Sequence, residues 1–155
     1  MRSRKQKKRQ FNKDFGLDLA ADENVDLVVC STRVDSHFMP VKPSIIAGKA
    51  IFVEWPLEAS LAIAREMTAL AKKNNAPTIV GLQGSFGPEV RKLKEVIDSG
   101  RIGPVVSSSW IASLGNGGGV ERKNVRYFVD RKVGGNVVSI AVGHSLEFLT
   151  YGKTY

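Results

Sequence analysis

The sequence is short of cysteine and of long apolar runs, and each shortage excludes a class of protein. Its one cysteine, Cys30, lies inside an apolar stretch, which excludes an internal disulfide and a cysteine metal cluster. No apolar run approaches the roughly 18 residues that a membrane helix needs, so no membrane partner is expected. The N-terminus is basic but has no apolar segment behind it, so it is not a secretory signal. The 155 residues, 43% of them hydrophobic, are enough for a domain with a core.

Positive charge is concentrated at the N-terminus. The net charge is +8, and seven of the 23 basic residues lie within the first 13 positions. Such a run is typical of a nuclear localisation signal, of a nucleic-acid patch or of a solvated tail. Because no basic stripe interleaved with aromatic residues follows, direct nucleic-acid binding is not expected. We expect residues 1–20 to be a basic disordered tail, and the protein to lie in the cytoplasm, the nucleus or both.

Strand and helix patterns alternate after Val25. Pro88 suits the first turn of one predicted helix and Gly100 its end. Strands separated by helices indicate parallel pairing through right-handed crossovers. The strands are expected near 25–30, 50–54 and 77–82, and the helices near 36–48, 60–74 and 87–99.

The character of the sequence changes after residue 103. The expected fold class is α/β, with a partial Rossmann-like, doubly wound parallel sheet followed by the start of an α+β second domain. Residues 21–103 would form the C-terminal half of a dinucleotide-binding domain, and residues 104–155 would begin the second domain. The second domain is expected to hold a strand at 105–114, a glycine-rich loop at 115–119 and a helix from about 135 to 151.

Four segments from Val25 onwards carry a family resemblance, in this order: VDLVVCST…H, AGKAIFVEWPL, VGLQGSFGPEVRKLKEVIDSGRIGPV, and the GG…H helix that includes His144. With these segments the sequence resembles the Gfo/Idh/MocA oxidoreductases, the relatives of glucose–fructose oxidoreductase and inositol dehydrogenase. The resemblance implies a dinucleotide-binding fold, NAD or NADP as cofactor in the complete form, and hydride transfer between a nicotinamide ring and a sugar or polyol carbon.

A further set of residues narrows the resemblance: Val53-Glu54-Trp55, Leu82-Gln83-Gly84, residues 115–118, Glu121-Arg122 and residues 143–149. At these positions the sequence is more similar to the fungal galactose-regulon repressors, which keep the family's fold but restrain a transcription activator. This similarity implies an acidic activation domain as the partner, and a homodimer is also compatible with it.

The family's catalytic residues are largely replaced in this sequence. The resemblance implies that the enzymes use the lysine of a Glu-Lys-Pro segment together with an Asp-x-x-x-His pair on the late helix. Here the lysine position is Trp55 and the aspartate position is Ile140, so only His144 remains. His144 would contact a sugar or the nicotinamide ribose, or it is a core residue, because apolar Val137 and Phe148 share its helical face.

Polar residues after the first two predicted strands are candidate cofactor ligands. The resemblance assigns Ser31, Thr32 and Arg33 to the cofactor's ribose and phosphates; the alternative is a helix-capping loop, which Ser36 also fits. His37 resembles the family's strand–loop histidine, and the alternative is a structural role.

The resemblance also implies that Glu54, Trp55 and Pro56 line the nicotinamide pocket, with an unusual peptide bond before Pro56, and that Gln83 binds the cofactor. The alternative for Trp55 is that it fills a hydrophobic gap between the domains.

The fingerprint G-x-G-x-x-G after a first strand is absent, and the glycines at 115–119 do not satisfy it. We therefore expect an N-terminally truncated form that binds NAD(P) weakly or not at all by itself, with exposed apolar patches. Three functions remain open: a non-catalytic regulator of galactose metabolism, an NAD(P)-dependent oxidoreductase with a rearranged site, and a truncated product without independent function.

Overall fold

The computed structural model describes residues 15–111 and 123–151. The regular elements are α1 (Phe15–Ala21), β1 (Leu27–Cys30), α2 (Phe38–Ile46), β2 (Ala50–Glu54), α3 (Leu61–Lys73), β3 (Thr78–Gly81), α4 (Pro88–Asp98) and α5 (Gly143–Tyr151). Short 3₁₀ turns cover Val34–Ser36, Gly84–Phe86, Lys123–Val129 and Arg131–Val133, and a π-helical segment, Val138–Val142, leads directly into α5.

The strands form a parallel sheet in the order β1-β2-β3. Each strand is followed by a helix before the next strand begins, as parallel pairing requires. Val29 lies opposite Phe52, and Phe52 lies opposite Ile79. The predicted α/β class with a Rossmann-like parallel sheet is confirmed, and the three strands and the helices between them lie where the sequence patterns indicate.

One face of this sheet forms the hydrophobic core. Helices α2 and α3 cover it because both crossovers return the chain on the same side. The helices contribute Val41, Ile45, Met67 and Ala71, and the strands contribute Val28, Cys30, Ile51 and Val53, all of them buried.

The opposite face is open among the described residues. Leu27 is 51% exposed, Val29 60% and Ile79 60%, although all three are aliphatic strand residues. The exposed apolar patches expected from the sequence are therefore present on this face.

Helix α1 overlaps the segment that the sequence analysis assigned to a disordered tail. Residues 15–20 of that segment are helical, and residues 1–14 lie outside the described residues. The helix packs on α2 so closely that a Cβ at Gly16 would collide with the backbone carbonyl of Pro40. A helix of seven residues has only about two turns, so its periodicity is too weak to detect in the sequence, and its tertiary contact with α2 stabilises it.

The prediction of a strand at 105–114 is wrong for residues 105–111, the part of it that the structure describes. Residues 105–111 are exposed and carry no strand pairing, since no described strand lies beside them to complete a ladder. Residues 112–114 and the glycine-rich loop lie outside the described residues. The late helix is present as the π-helical segment and α5. No described helix is both long enough and apolar enough to cross a membrane.

Candidate functional site

The loops that follow β1, β2 and β3 meet at the carboxyl edge of the sheet, where ligands of open parallel sheets bind. The late helix and the turns before it contact this edge. The structure thus brings the candidate cofactor residues to one edge: Ser31, Thr32, Arg33, His37, Glu54, Trp55, Pro56 and Gln83.

The loop after β1 is organised by its own hydroxyl groups. The Thr32 hydroxyl donates to the Ser36 carbonyl at 3.4 Å, and the Ser36 hydroxyl donates to the Arg33 carbonyl at 2.7 Å. Ser31 is exposed. Ser36 does not cap α2, so the capping role that its position suggested is wrong; its hydroxyl closes the preceding turn instead.

Arg33 is engaged by protein groups on two sides. Its guanidinium donates two hydrogen bonds to Asp35, at 2.6 and 2.7 Å, and it lies 5.8 Å from the ring centre of Tyr127. The hydrogen bond between the side chains raises the pKa of Arg33 and lowers the pKa of Asp35. A phosphate at this position would compete with the Asp35 carboxylate for the same donors.

His37 joins two of the loops from inside the protein. The residue is 1% exposed, and its ring has Nδ1 3.1 Å from the Leu57 carbonyl oxygen and Nε2 3.0 Å from the Thr32 carbonyl oxygen. A neutral imidazole has one N–H and so satisfies one of these two acceptors. The arrangement is the one expected of a structural histidine that ties the loop after β1 to the loop after β2.

Glu58 makes a second link between the same loops. Its carboxylate accepts the backbone N–H of Phe38 at 2.6 Å and that of Ala59 at 3.0 Å, so it caps the N-terminus of α2. The cap comes from a residue 20 positions further along the chain, and for that reason no local sequence signal identified it.

The loop after β2 holds the residues that replace the family's Glu-Lys-Pro segment. The Trp55–Pro56 peptide bond is cis, which matches the expectation of an unusual bond there. The carboxylate of Glu54 lies beside Gly81, where a Cβ would approach its Oε2 to 2.8 Å. The indole N–H of Trp55 donates to the Ser139 carbonyl at 2.7 Å. The one polar group of Trp55 is therefore used to bind the π-helical segment.

The loop after β3 is attached to α5. Gln83 is exposed, the Ser85 N–H donates to Oε2 of Glu147 at 2.8 Å, and the ring of Phe148 fills the space beside Gly84. Glu147 lies in the segment 143–149 named in the sequence analysis, but it had no assigned role there. A contact across 62 positions leaves no local pattern in the sequence.

The late helix carries the two remaining positions of the family's catalytic set. Ile140 lies in the π-helical segment and His144 at the start of α5, and both are half-buried. Of the side chains at 55, 140 and 144, only the imidazole of His144 can accept a proton. No cluster of three or more potential metal ligands exists among the described residues.

Comparisons with known proteins agree with this architecture. Residues 2–82 match the oxidoreductase family with an NAD-binding Rossmann fold, and residues 88–154 match the C-terminal domain of Gal80p. The chain is 32% identical over 136 residues to dehydrogenase aclE of Aspergillus oryzae, covering 86% of the chain and 36% of that protein. It is 33% identical over 142 residues to the galactose/lactose metabolism regulatory protein GAL80 of Saccharomyces cerevisiae, covering 85% of the chain and 32% of that protein.

The crystal structure of the transcriptional regulator Gal80p from Kluyveromyces lactis superposes with a TM-score of 0.72 at 26% identity, over 90% of this chain and 36% of that one. The chain thus spans about a third of the length of the relatives it matches. With more than half of its residues matched by the family profile, the chain belongs to the Gfo/Idh/MocA oxidoreductase family, and its second part is similar to the C-terminal domain of Gal80p.

Proposed function

We propose that the chain is part of a non-catalytic transcription regulator of sugar metabolism, with galactose as the sugar whose use it controls. The regulator keeps the dinucleotide-binding fold of the dehydrogenases but uses it for binding. The proposal is supported by the match to the Gal80p C-terminal domain and by the similarity to a galactose/lactose regulatory protein over most of the chain.

The observation that carries the proposal is the hydrogen bond from Trp55 to the Ser139 carbonyl. Oxidation of an alcohol by hydride transfer needs a group that takes up the hydroxyl proton. Tryptophan accepts no proton and carries no charge, and its single donor is already used within the protein. Ile140 supplies no polar group either. Trp55 and Ile140 therefore occupy the positions at which the resemblance places the cation and the carboxylate of the enzymes.

The second candidate is an NAD(P)-dependent oxidoreductase that acts on a sugar or polyol. The half-buried imidazole of His144, on the helix that contacts the carboxyl edge, favours it. The similarity to dehydrogenase aclE is as extensive as that to the regulator. Under this candidate His144 would exchange the proton with the substrate hydroxyl.

NAD or NADP is proposed as the ligand of the complete protein, since the matched family has an NAD-binding fold. Ser31 and Gln83 are exposed at the carboxyl edge and would suit the hydroxyl groups of a ribose. The pyrophosphate fits less well, because the N-terminus of α2 already binds the carboxylate of Glu58. We therefore expect weak or no binding of NAD(P) by this chain alone.

The proposed partner is the acidic activation domain of a transcription activator, which suits a chain with a net charge of +8. A nuclear or cytoplasmic location would agree with this partner and with the basic N-terminus. A homodimer remains a proposal for the complete protein.

Two assays on the chain, and on any longer product of the same gene, separate the candidates. The first measures NAD(P)-dependent turnover with a panel of sugars and polyols. The second measures binding to an acidic activation-domain peptide, with a control peptide whose acidic residues are replaced by their amides. The regulator predicts no turnover and binding to the acidic peptide only. Turnover that His144→Gln abolishes would instead establish the oxidoreductase.

A further inference from the structure

The late helix is attached to the carboxyl edge of the sheet at two points. Trp55, from the loop after β2, donates its indole N–H to the Ser139 carbonyl at 2.7 Å. Glu147, two helical turns further on, accepts the Ser85 N–H from the loop after β3 at 2.8 Å. The two attachments bind neighbouring loops, so they control both the position of the helix and its rotation.

The first attachment requires a residue without a side chain at position 143. A Cβ on Gly143 would collide with the indole nitrogen of Trp55 and also with two ring carbons, at 2.6 and 2.8 Å. The backbone angles of Gly143 are φ −60° and ψ −48°, which every residue adopts in a helix. The backbone therefore does not need glycine here, and the space taken by the indole ring does.

The acceptor of the first attachment is itself held in place. The Ser139 hydroxyl donates to the Gly134 carbonyl at 2.7 Å, and the Ser139 N–H donates to Oδ1 of Asn136 at 2.9 Å. Ser139 thus presents its carbonyl from an ordered turn. It also lies in the π-helical segment, and such segments frequently occur at functional sites.

We propose that Trp55 is a positioning residue, whose indole ring sets the height and rotation of the late helix over the carboxyl edge and so determines where His144 lies. Glu147 is the second point of the same clamp. The inference goes beyond the proposed function, because His144 has to be held in place whether the site binds a ligand or transforms it.

This role predicts that Gly143→Ala shifts the thermal unfolding midpoint in opposite directions in two backgrounds. Gly143→Ala should lower the thermal unfolding midpoint of the wild-type chain, because the methyl group displaces the indole ring. In a Trp55→Ala background, which lacks the whole indole ring, the same change should raise the midpoint, since alanine is the better helix former. Thr150→Ala, on an exposed part of the helix, is the control and should shift the midpoint equally in both backgrounds. A shift of the same sign for Gly143→Ala in both backgrounds would overturn the proposal.

Nuclear magnetic resonance supplies a readout that stability alone does not. The chain has two tryptophans and two histidines, so the indole and imidazole signals are few enough to assign. The indole N–H of Trp55 should be protected from hydrogen exchange, and Gly143→Ala should remove that protection. Trp55→Ala should move the ring signals of His144, and Thr150→Ala should not. If Trp55→Ala does not fold, Gly143→Ala decides alone: retained protection together with a raised midpoint would refute the clamp.

Discussion

The two faces of the sheet differ in their surroundings although they are built from the same kind of residue. Along β1, Val28 and Cys30 are buried beneath α2 and α3, whereas Leu27 and Val29 are exposed. All four are apolar, as is usual for strands of parallel sheets, which helices cover on both faces. The apolar composition of β1 therefore specifies two buried faces, and the described residues cover one of them.

This difference predicts where the stability of the chain lies. Burying a valine or leucine side chain contributes roughly 1.5–3 kcal/mol relative to leaving it exposed. The packed face gains this contribution at the buried residues of β1 and β2, and the open face gains little. Matched substitutions on the two faces should thus have unequal effects.

The largest effect is expected in helix α2, which covers the packed face. Ile45→Ala removes a side chain that is fully buried, and it should lower the free energy of unfolding by about 2–5 kcal/mol. Ile46, the next residue, is 55% exposed, and Ile46→Ala should stay within about 0.5 kcal/mol of the wild type. Urea unfolding of both variants measures the difference. Equal effects would show that α2 does not pack as described.

A second pair of variants compares the two faces within one strand. Val28→Thr keeps the side-chain shape but places a hydroxyl in the core, and it should cost about 1–3 kcal/mol. Val29→Thr makes the same chemical change on the open face and should leave stability nearly unchanged. Thermal unfolding gives the stabilities, and light scattering at rising concentration measures association.

The Val29→Thr variant also tests whether the open face is free or covered in solution. If the open face associates with other molecules in solution, the added hydroxyl should reduce that association without affecting unfolding. A loss of stability as large as that of Val28→Thr would mean that the open face is covered in solution, which would contradict the comparison.

The packed face was more predictable from the sequence than the contacts at the carboxyl edge. The alternating strand and helix patterns predicted the parallel sheet because burial imposes a local period on the chain. The loops that begin at Ser31 and Trp55 follow the first two predicted strands, and the general rule for parallel strands also placed them at carboxyl ends, where ligands bind.

The partners within that edge were not predictable in the same way. Glu58 contacts Phe38 across 20 positions, and Trp55 contacts Ser139 across 84. Neither pair has a local period, so the sequence alone left open whether Trp55 lines the nicotinamide pocket or fills a hydrophobic gap between the domains. The strand expected at 105–114 failed for a related reason, because a strand depends on a neighbour that its own sequence does not encode.

A third prediction concerns the cap that connects the packed face to the edge. Glu58→Ala removes the acceptor for the Phe38 N–H at the start of α2 and should cost about 0.5–2 kcal/mol. Hydrogen exchange should quicken in the first turn of α2 and remain slow in β2. Glu66→Ala is the control, since Glu66 makes only an exposed ion pair with Lys42 at 3.5 Å. If Glu58→Ala lowers the free energy of unfolding no more than Glu66→Ala does, solvent replaces the Glu58 carboxylate at the Phe38 N–H.

The smallest effect is expected from the ion pair between Arg33 and Asp35, whose side chains are 52% and 26% exposed. The hydrogen bond with Arg33 lowers the pKa of Asp35 in the folded state. Because the unfolded value is about 3.9, the ionised carboxylate stabilises the fold above that pH, and the contribution is lost as the pH falls through the folded pKa. Solvent screening keeps this contribution below that of any buried side chain.

The comparison of wild type with Asp35→Asn between about pH 7 and pH 2 isolates this contribution, since the asparagine keeps the shape of the side chain but does not titrate. The difference in unfolding free energy should be small at neutral pH and should disappear in acid, where the wild-type carboxyl is also uncharged. A difference that persists at the acid end would mean that Asp35 contributes through packing or neutral hydrogen bonds. In that case Asp35, although exposed, would stabilise the fold without its charge, as the buried side chains of the packed face do.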